Sequence, residues 1–165
     1  MVFGERSLRL RRRILGRVSF RFWTWRSLPL AAFAGVRLTR LDSEAAVVRL
    51  PGGWRSQNPF RSTYFAAQAM AAELSTGAPL LVLAADSSAS ISTLVTGLEA
   101  RFAKKLVGEG LFTCADVPAL RDAVARAAGR DEPVELVARS TGRDARGDVV
   151  SEWTVTWSLK RRGAV

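Results

Sequence analysis

Histidine is absent from this chain, cysteine and tyrosine occur once each, and the 15 carboxylates are outnumbered by 25 Lys and Arg over 165 residues. Without histidine the commonest general base and the commonest metal ligand are both missing, which excludes Ser-His-Asp, Cys-His and histidine-zinc chemistry. Catalysis would have to run on carboxylates, hydroxyls or backbone dipoles. The lone Cys114 cannot close an internal disulfide, so a reducing compartment, the cytoplasm, is the expected setting. Phosphate-loop, dinucleotide-fold and zinc-ligand spacings are also missing, so neither a cofactor nor a metal is expected. The longest apolar run is the eight residues Ala78 to Ala85, too short for a membrane span.

What is present is one domain's worth of chain with 48% hydrophobic residues, enough to bury a real core. The net charge of +10 is not spread over it. Residues 1–30 carry eight arginines against Glu5, and Lys160, Arg161 and Arg162 follow at the far end, leaving residues 31–159 neutral. A neutral body has no field to steer a polyanion, which argues against nucleic acid as the main partner. Basic ends attract phosphate-rich surfaces of any kind, anionic lipid included.

The N-terminal 1–29 segment reads as a basic amphipathic helix. Arg17, Arg21 and Arg26 interrupt what would have to be the apolar core of an export signal, so none is expected. Leu15, Val18, Phe22 and Trp25 recur at helical spacing before Pro29. Two readings stay open: a helix whose stripe caps the domain, and a peripheral membrane contact through residues 6–26.

From residue 30 to 162 the pattern is that of an α+β domain. Alternation over Ala34 to Leu41 and Ala46 to Leu50, around the turn residues Asp42-Ser43-Glu44, predicts a strand pair. Tyr64 to Leu74 is apolar all round and predicts a buried helix. Leu80 to Ala84 reads as a short strand. Ser92 to Leu106 reads as a long strand with Leu94, Leu98, Ala100 and Phe102 packed inward. Leu111 to Ala115, a helix from Pro118 to Ala128 and a strand from Val134 to Ala138 follow. The last strand alternates most clearly, with Trp153, Val155, Trp157 and Leu159 opposing Glu152, Thr154, Thr156 and Ser158. The packed faces need a filler, and only the helix near 64–74 is apolar enough to serve. An antiparallel sheet wrapped around a long central helix follows.

The run Gln57-Asn58-Pro59-Phe60-Arg61-Ser62-Thr63-Tyr64-Phe65-Ala66-Ala67-Gln68, continuing through Glu73 to Gly77, resembles the loop and central helix of hotdog-fold acyl thioesterases. It is most similar to an uncharacterised bacterial branch of that superfamily, a domain of unknown function. In the thioesterase pattern an Asn is followed by Gly, His, a Gly pair and then a carboxylate. Counted from Asn58, the carboxylate position is Glu73, while Arg61, Tyr64 and Phe65-Ala66 replace the glycines and the histidine.

The resemblance implies an acyl-CoA or acyl-carrier-protein thioesterase, with a coenzyme A thioester as substrate rather than cofactor. Glu73 would activate water or attack the acyl carbon. Backbone N–H groups near Tyr64, Phe65 and Ala66 would hold the carbonyl oxygen, with Asn58 or Gln57 positioning water. Arg55, Arg61, Lys104 and Lys105 could meet phosphates of the carrier, and Gln68 lies one turn after Tyr64, close enough to bond it or to face substrate. Glu73 lies about 13 Å along the helix from Tyr64, at ~1.5 Å per residue, so the complementary parts would come from two chains. A homodimer or a dimer of dimers is implied.

Plainer readings stand beside these. Glu73 could be a structural acid paired with an arginine, and Asn58 a helix N-cap with Pro59 at the first helical position. The whole chain could be a non-catalytic hotdog module that binds an acyl chain or a partner, tethered to membrane or polyanion by its basic helix.

Overall fold

The strand with the clearest alternation, Val149–Arg161, runs beside two others at one side of the sheet in the computed structural model, which describes residues 3–162. Residues 1 and 2 of the N-terminal segment lie outside the described residues. Six strands form one antiparallel sheet: β1 (Arg37–Leu41), β2 (Ala46–Leu50), β3 (Ile91–Phe102), β4 (Gly110–Cys114), β5 (Val134–Asp144) and β6 (Val149–Arg161), in spatial order β1-β2-β4-β5-β6-β3. On β6, Trp153, Val155, Trp157 and Leu159 are buried as their parity requires. The β1–β2 turn is held by Asp42, whose Oδ1 accepts from the Glu44 and Ala45 N–H groups.

The filling is α4 (Phe65–Ala84), 20 residues long. The expected strand over 80–84 does not exist: Leu80, Val82 and Leu83 are buried in the last turns of this helix. The Ser75-Thr76-Gly77 run and Pro79 look like a helix end, but the chain continues through them because both sides of the helix are enclosed and packing outweighs propensity. Its buried hydroxyls find partners across the layers. Ser75 Oγ donates to the Ala72 carbonyl and lies 2.8 Å from Ser140 Oγ, and Trp157 Nε1 donates to Thr76 Oγ1 at 3.0 Å. A second core helix, α5 (Val117–Ala128), buries Val117, Leu120, Ala123, Val124 and Ala127. This is the hotdog arrangement.

The basic N-terminal segment is three helices rather than one: α1 (Glu5–Leu15), α2 (Arg17–Ser27) and α3 (Pro29–Ala34). Gly16, extended at φ −68° and ψ 130°, breaks the first pair, and Ser19 Oγ donates to the exposed Arg13 carbonyl there. Ile14 and Phe20 join the core. The stripe read from spacing faces solvent and does not cap the domain. Phe20 and Thr24 are buried, whereas Val18, Phe22 and Trp25 are 83%, 70% and 52% exposed.

The long strand β3 also differs from expectation. A bulge between Val95 and Gly97 shifts the side-chain parity, so Leu94 opposes Ser158 while Leu98, Ala100 and Phe102 oppose Val155, Trp153 and Ser151. Leu98 and Phe102 thus share the concave face with the core, yet both stay exposed because β3 is an edge strand.

Candidate active site

The candidate residues fall in two separate places. The first is the start of α4. Tyr64 is its N-cap in extended conformation, and its own N–H donates to the Ser56 carbonyl. The Ala67 and Gln68 N–H groups both point back to the Tyr64 carbonyl. Among the described residues no acceptor meets the Phe65 and Ala66 N–H groups. Two free donors at the positive end of a 20-residue helix can stabilise an oxyanion. Phe65 lines a cavity of about 380 Å³ together with Asn58, Tyr64, Gln68, Lys104 and Lys105, among others. Tyr64 and Phe65 stack edge to face at 4.8 Å beside it.

The loop that presents this helix start is built around Asn58. Its Oδ1 accepts from the Phe60 N–H, the Ser62 N–H and Ser62 Oγ, while Arg61 N–H donates to its backbone carbonyl. No helix begins at Pro59, so Asn58 is a loop organiser and not an N-cap. Arg61 has φ 57°, the left-handed region. That is the position where the thioesterase pattern carries glycine, and the turn itself explains the glycine.

Gln68 is buried and committed. Its Nε2 donates to the Thr63 carbonyl and its Oε1 accepts from Ser151 Oγ, which in turn accepts from Trp153 Nε1. This chain, and no bond to the Tyr64 hydroxyl, pins the helix start to β6. Lys104 bridges Asp144 and Asp148 at 2.8 and 2.6 Å, and those hydrogen bonds raise its pKa. Lys105 lines the same cavity, exposed and with no acidic partner among the described residues. Gln57 and Arg61 lie outside its lining, and Arg55 borders a different cleft.

The second place is Glu73. It is half-buried between two cavities of about 310 and 320 Å³, walled by Trp23 and Ser27 from α2, by Leu28 just after it, and by Met70, Leu74 and Trp157. Burial pushes its pKa up. No hydrogen bond or cation reaches its carboxylate among the described residues, so the ion-pair reading of Glu73 finds no arginine. The part of α2 and Leu28 in these walls was missed in the sequence, where nothing distinguishes Trp23 from its exposed neighbours except the 100° step of the helix.

Within one chain the two places do not meet. Phe65 and Glu73 are separated by about 12 Å along the helix, at ~1.5 Å per residue, and they line different cavities.

The fold is shared with several solved structures. A Pseudomonas aeruginosa protein of unknown function, described as a probable thioesterase, is 22% identical and superposes with a TM-score of 0.71 over 91% of this chain and 99% of its own. A Chlorobaculum tepidum protein of unknown function, 10% identical, gives 0.74 over 90% and 99%. A Haemophilus influenzae thioesterase, also 10% identical, gives 0.64 over 88% and 91%. At these identities the likeness is one of fold. No curated protein sequence matches the chain. The model of a family described as a domain of unknown function, DUF4442, matches residues 16–159, and the chain belongs to that family.

Proposed function

We propose that this chain hydrolyses acyl thioesters of coenzyme A or of an acyl carrier protein, as a homodimer that brings Glu73 of one copy to the α4 start of the other. The observation that carries the reading is Glu73 itself: a desolvated carboxylate with no partner, set between two largely apolar cavities. A carboxylate whose pKa is raised by burial is a stronger base than an ordinary one. It takes a proton from water while the water oxygen bonds to the thioester carbonyl carbon. The oxygen of the tetrahedral intermediate is met by the Phe65 and Ala66 N–H groups. Collapse breaks the carbon–sulfur bond, the thiolate takes the proton back from Glu73, and a carboxylic acid and a free thiol leave.

The dimer is supported by the separation of the two places within one chain and by the open edge of β3. A 12-residue edge strand with Leu98 and Phe102 uncovered is a template for another chain. The names of the thioesterases that share the fold support the hydrolase reading and say nothing of the dimer.

The test is thiol release from a panel of acyl-CoAs of increasing chain length. Turnover should fall by about 10²–10⁴-fold in Glu73→Gln with the oligomer intact. An unaffected variant would remove Glu73 from the chemistry. No turnover with any chain length, on coenzyme A or carrier protein, would leave only an acyl-binding module.

A further inference from the structure

The outer face of α2 has no role in the site just described. With a 100° step per residue, Val18, Trp25 and Phe22 fall within an arc of about 60°, bounded on one side by Arg21 and Arg17 and on the other by Arg26. All six are exposed, and among the described residues none of the three arginines has an acidic partner. From Arg6 to Leu41 the chain carries ten arginines and not one carboxylate. An apolar stripe flanked on both sides by arginine is the pattern of a helix lying in a bilayer interface, where tryptophan and arginine both have favourable positions.

A second observation lies beside it. Trp25 and Arg21 border a cleft of about 230 Å³ whose other charged walls are Arg37 and Arg55, with no acidic group lining it. The Arg37 Nε is shielded from solvent and has no hydrogen-bond acceptor. A buried guanidinium donor left without an acceptor calls for an anion, and three guanidiniums suit a phosphate.

We propose that the outer face of α2 docks on an anionic lipid bilayer, with Val18, Phe22 and Trp25 entering the headgroup boundary and the Arg21–Arg37–Arg55 cleft taking a lipid phosphate. A second copy of the chain fits this face poorly, because a twofold contact would set arginine against arginine. A polynucleotide would engage the arginines but give Val18 nothing to bury against. The inner face of the same helix, through Phe20, Trp23 and Ser27, walls the cavities at Glu73. Docking would therefore place those cavities one helix thickness from the lipid.

The experiment is co-sedimentation of the full chain with phosphatidylcholine vesicles, with and without phosphatidylglycerol. Binding should be at least about 10-fold stronger to the anionic vesicles and weaken with salt. The double variants Phe22→Ser with Trp25→Ser, and Arg21→Gln with Arg55→Gln, alter only exposed side chains. Each should lose about 10-fold or more of that binding while circular dichroism stays unchanged. Equal binding to neutral and anionic vesicles, or binding untouched by either double variant, would overturn the proposal. So would a loss of oligomeric mass in the Phe22/Trp25 variant without vesicles, which would assign the face to self-association. Binding of a short RNA that the arginine variant abolishes, with no vesicle binding in the parent, would also overturn it.

Discussion

Gly77 follows Glu73 by one helical turn, and a β-carbon at Gly77 would stand 3.0 Å from the Glu73 carboxylate and 3.1 Å from the Trp157 ring. The glycine is the space in which the acid rests. Alanine there would gain helix propensity, about 1 kcal/mol, and lose part of that gain to the crowding. Gly77→Ala should therefore melt within a few degrees of the parent but lose thioesterase turnover by about 10-fold or more, since small displacements of a reacting group are costly. Parent-like kinetics in a folded variant would show that the carboxylate position is not critical.

Glu73 should leave a pH signature in both stability and rate. Its folded pKa is raised, so the folded state holds the proton more tightly than the unfolded chain. Its contribution is fully present below the unfolded pKa and is lost as pH rises through the folded one. Glu73→Gln should accordingly melt higher than the parent at about pH 8, with the difference closing near pH 4. The acid limb of kcat/KM should lie above the ordinary glutamate value of about 4.3. A limb at that ordinary value, with no stability difference, would mean the carboxylate is well solvated.

Lys104 and Lys105 are adjacent in sequence and unlike in surroundings. The Lys104 ammonium is already satisfied by Asp144 and Asp148, while Lys105 faces the same cavity without a carboxylate. Lys105→Met should raise KM for coenzyme A thioesters about 3- to 10-fold, the weight of one charged contact. Lys104→Met should leave it nearly unchanged. The reverse order, measured on the same substrate, would transfer the phosphate contact to Lys104.

Asp86 supplies a cap from the far end of α4. Its carboxylate accepts from the Gly4, Arg6 and Ser7 N–H groups at the start of α1. Desolvation opposes ionisation, but the hydrogen bonds from Ser7, Gly4 and Arg6 outweigh it and lower the pKa. The stabilisation is present above the ordinary carboxylate range and disappears as pH falls through the lowered value. Asp86→Ala should cost about 1 kcal/mol near neutrality, a fall of roughly 2–4 °C in Tm, and nothing in strong acid. An equal loss at both pH values would point to packing instead.

The architecture was largely legible because its signals are periodic: β6 alternates, the β1–β2 turn carries Asp42, and α4 is apolar on every side. Leu80 to Ala84 misled because a helix apolar all round and a buried strand look alike over five residues, with Pro79 suggesting a break. Leu94 was misplaced because one bulge, invisible in composition, inverts the alternation after Val95. In the candidate site, Glu73 and the helix start at Tyr64 were singled out by position in a known pattern. The loop role of Asn58 and the commitment of Gln68 depend on hydrogen bonds to Ser62 and Ser151, which no spacing announces. The direction of the α2 stripe was ambiguous because Phe20 and Trp23 on one side match Phe22 and Trp25 on the other.

The cap on α1 also orders events in time. Its acceptor is 79 to 82 residues further along the chain, so a ribosome that has delivered the whole of α1 has not yet made the group that closes its first turn. A short, arginine-crowded helix without that carboxylate is marginal in water. The α1 helix therefore settles late relative to its synthesis, and its docking waits on completion of the rod to whose end Asp86 belongs.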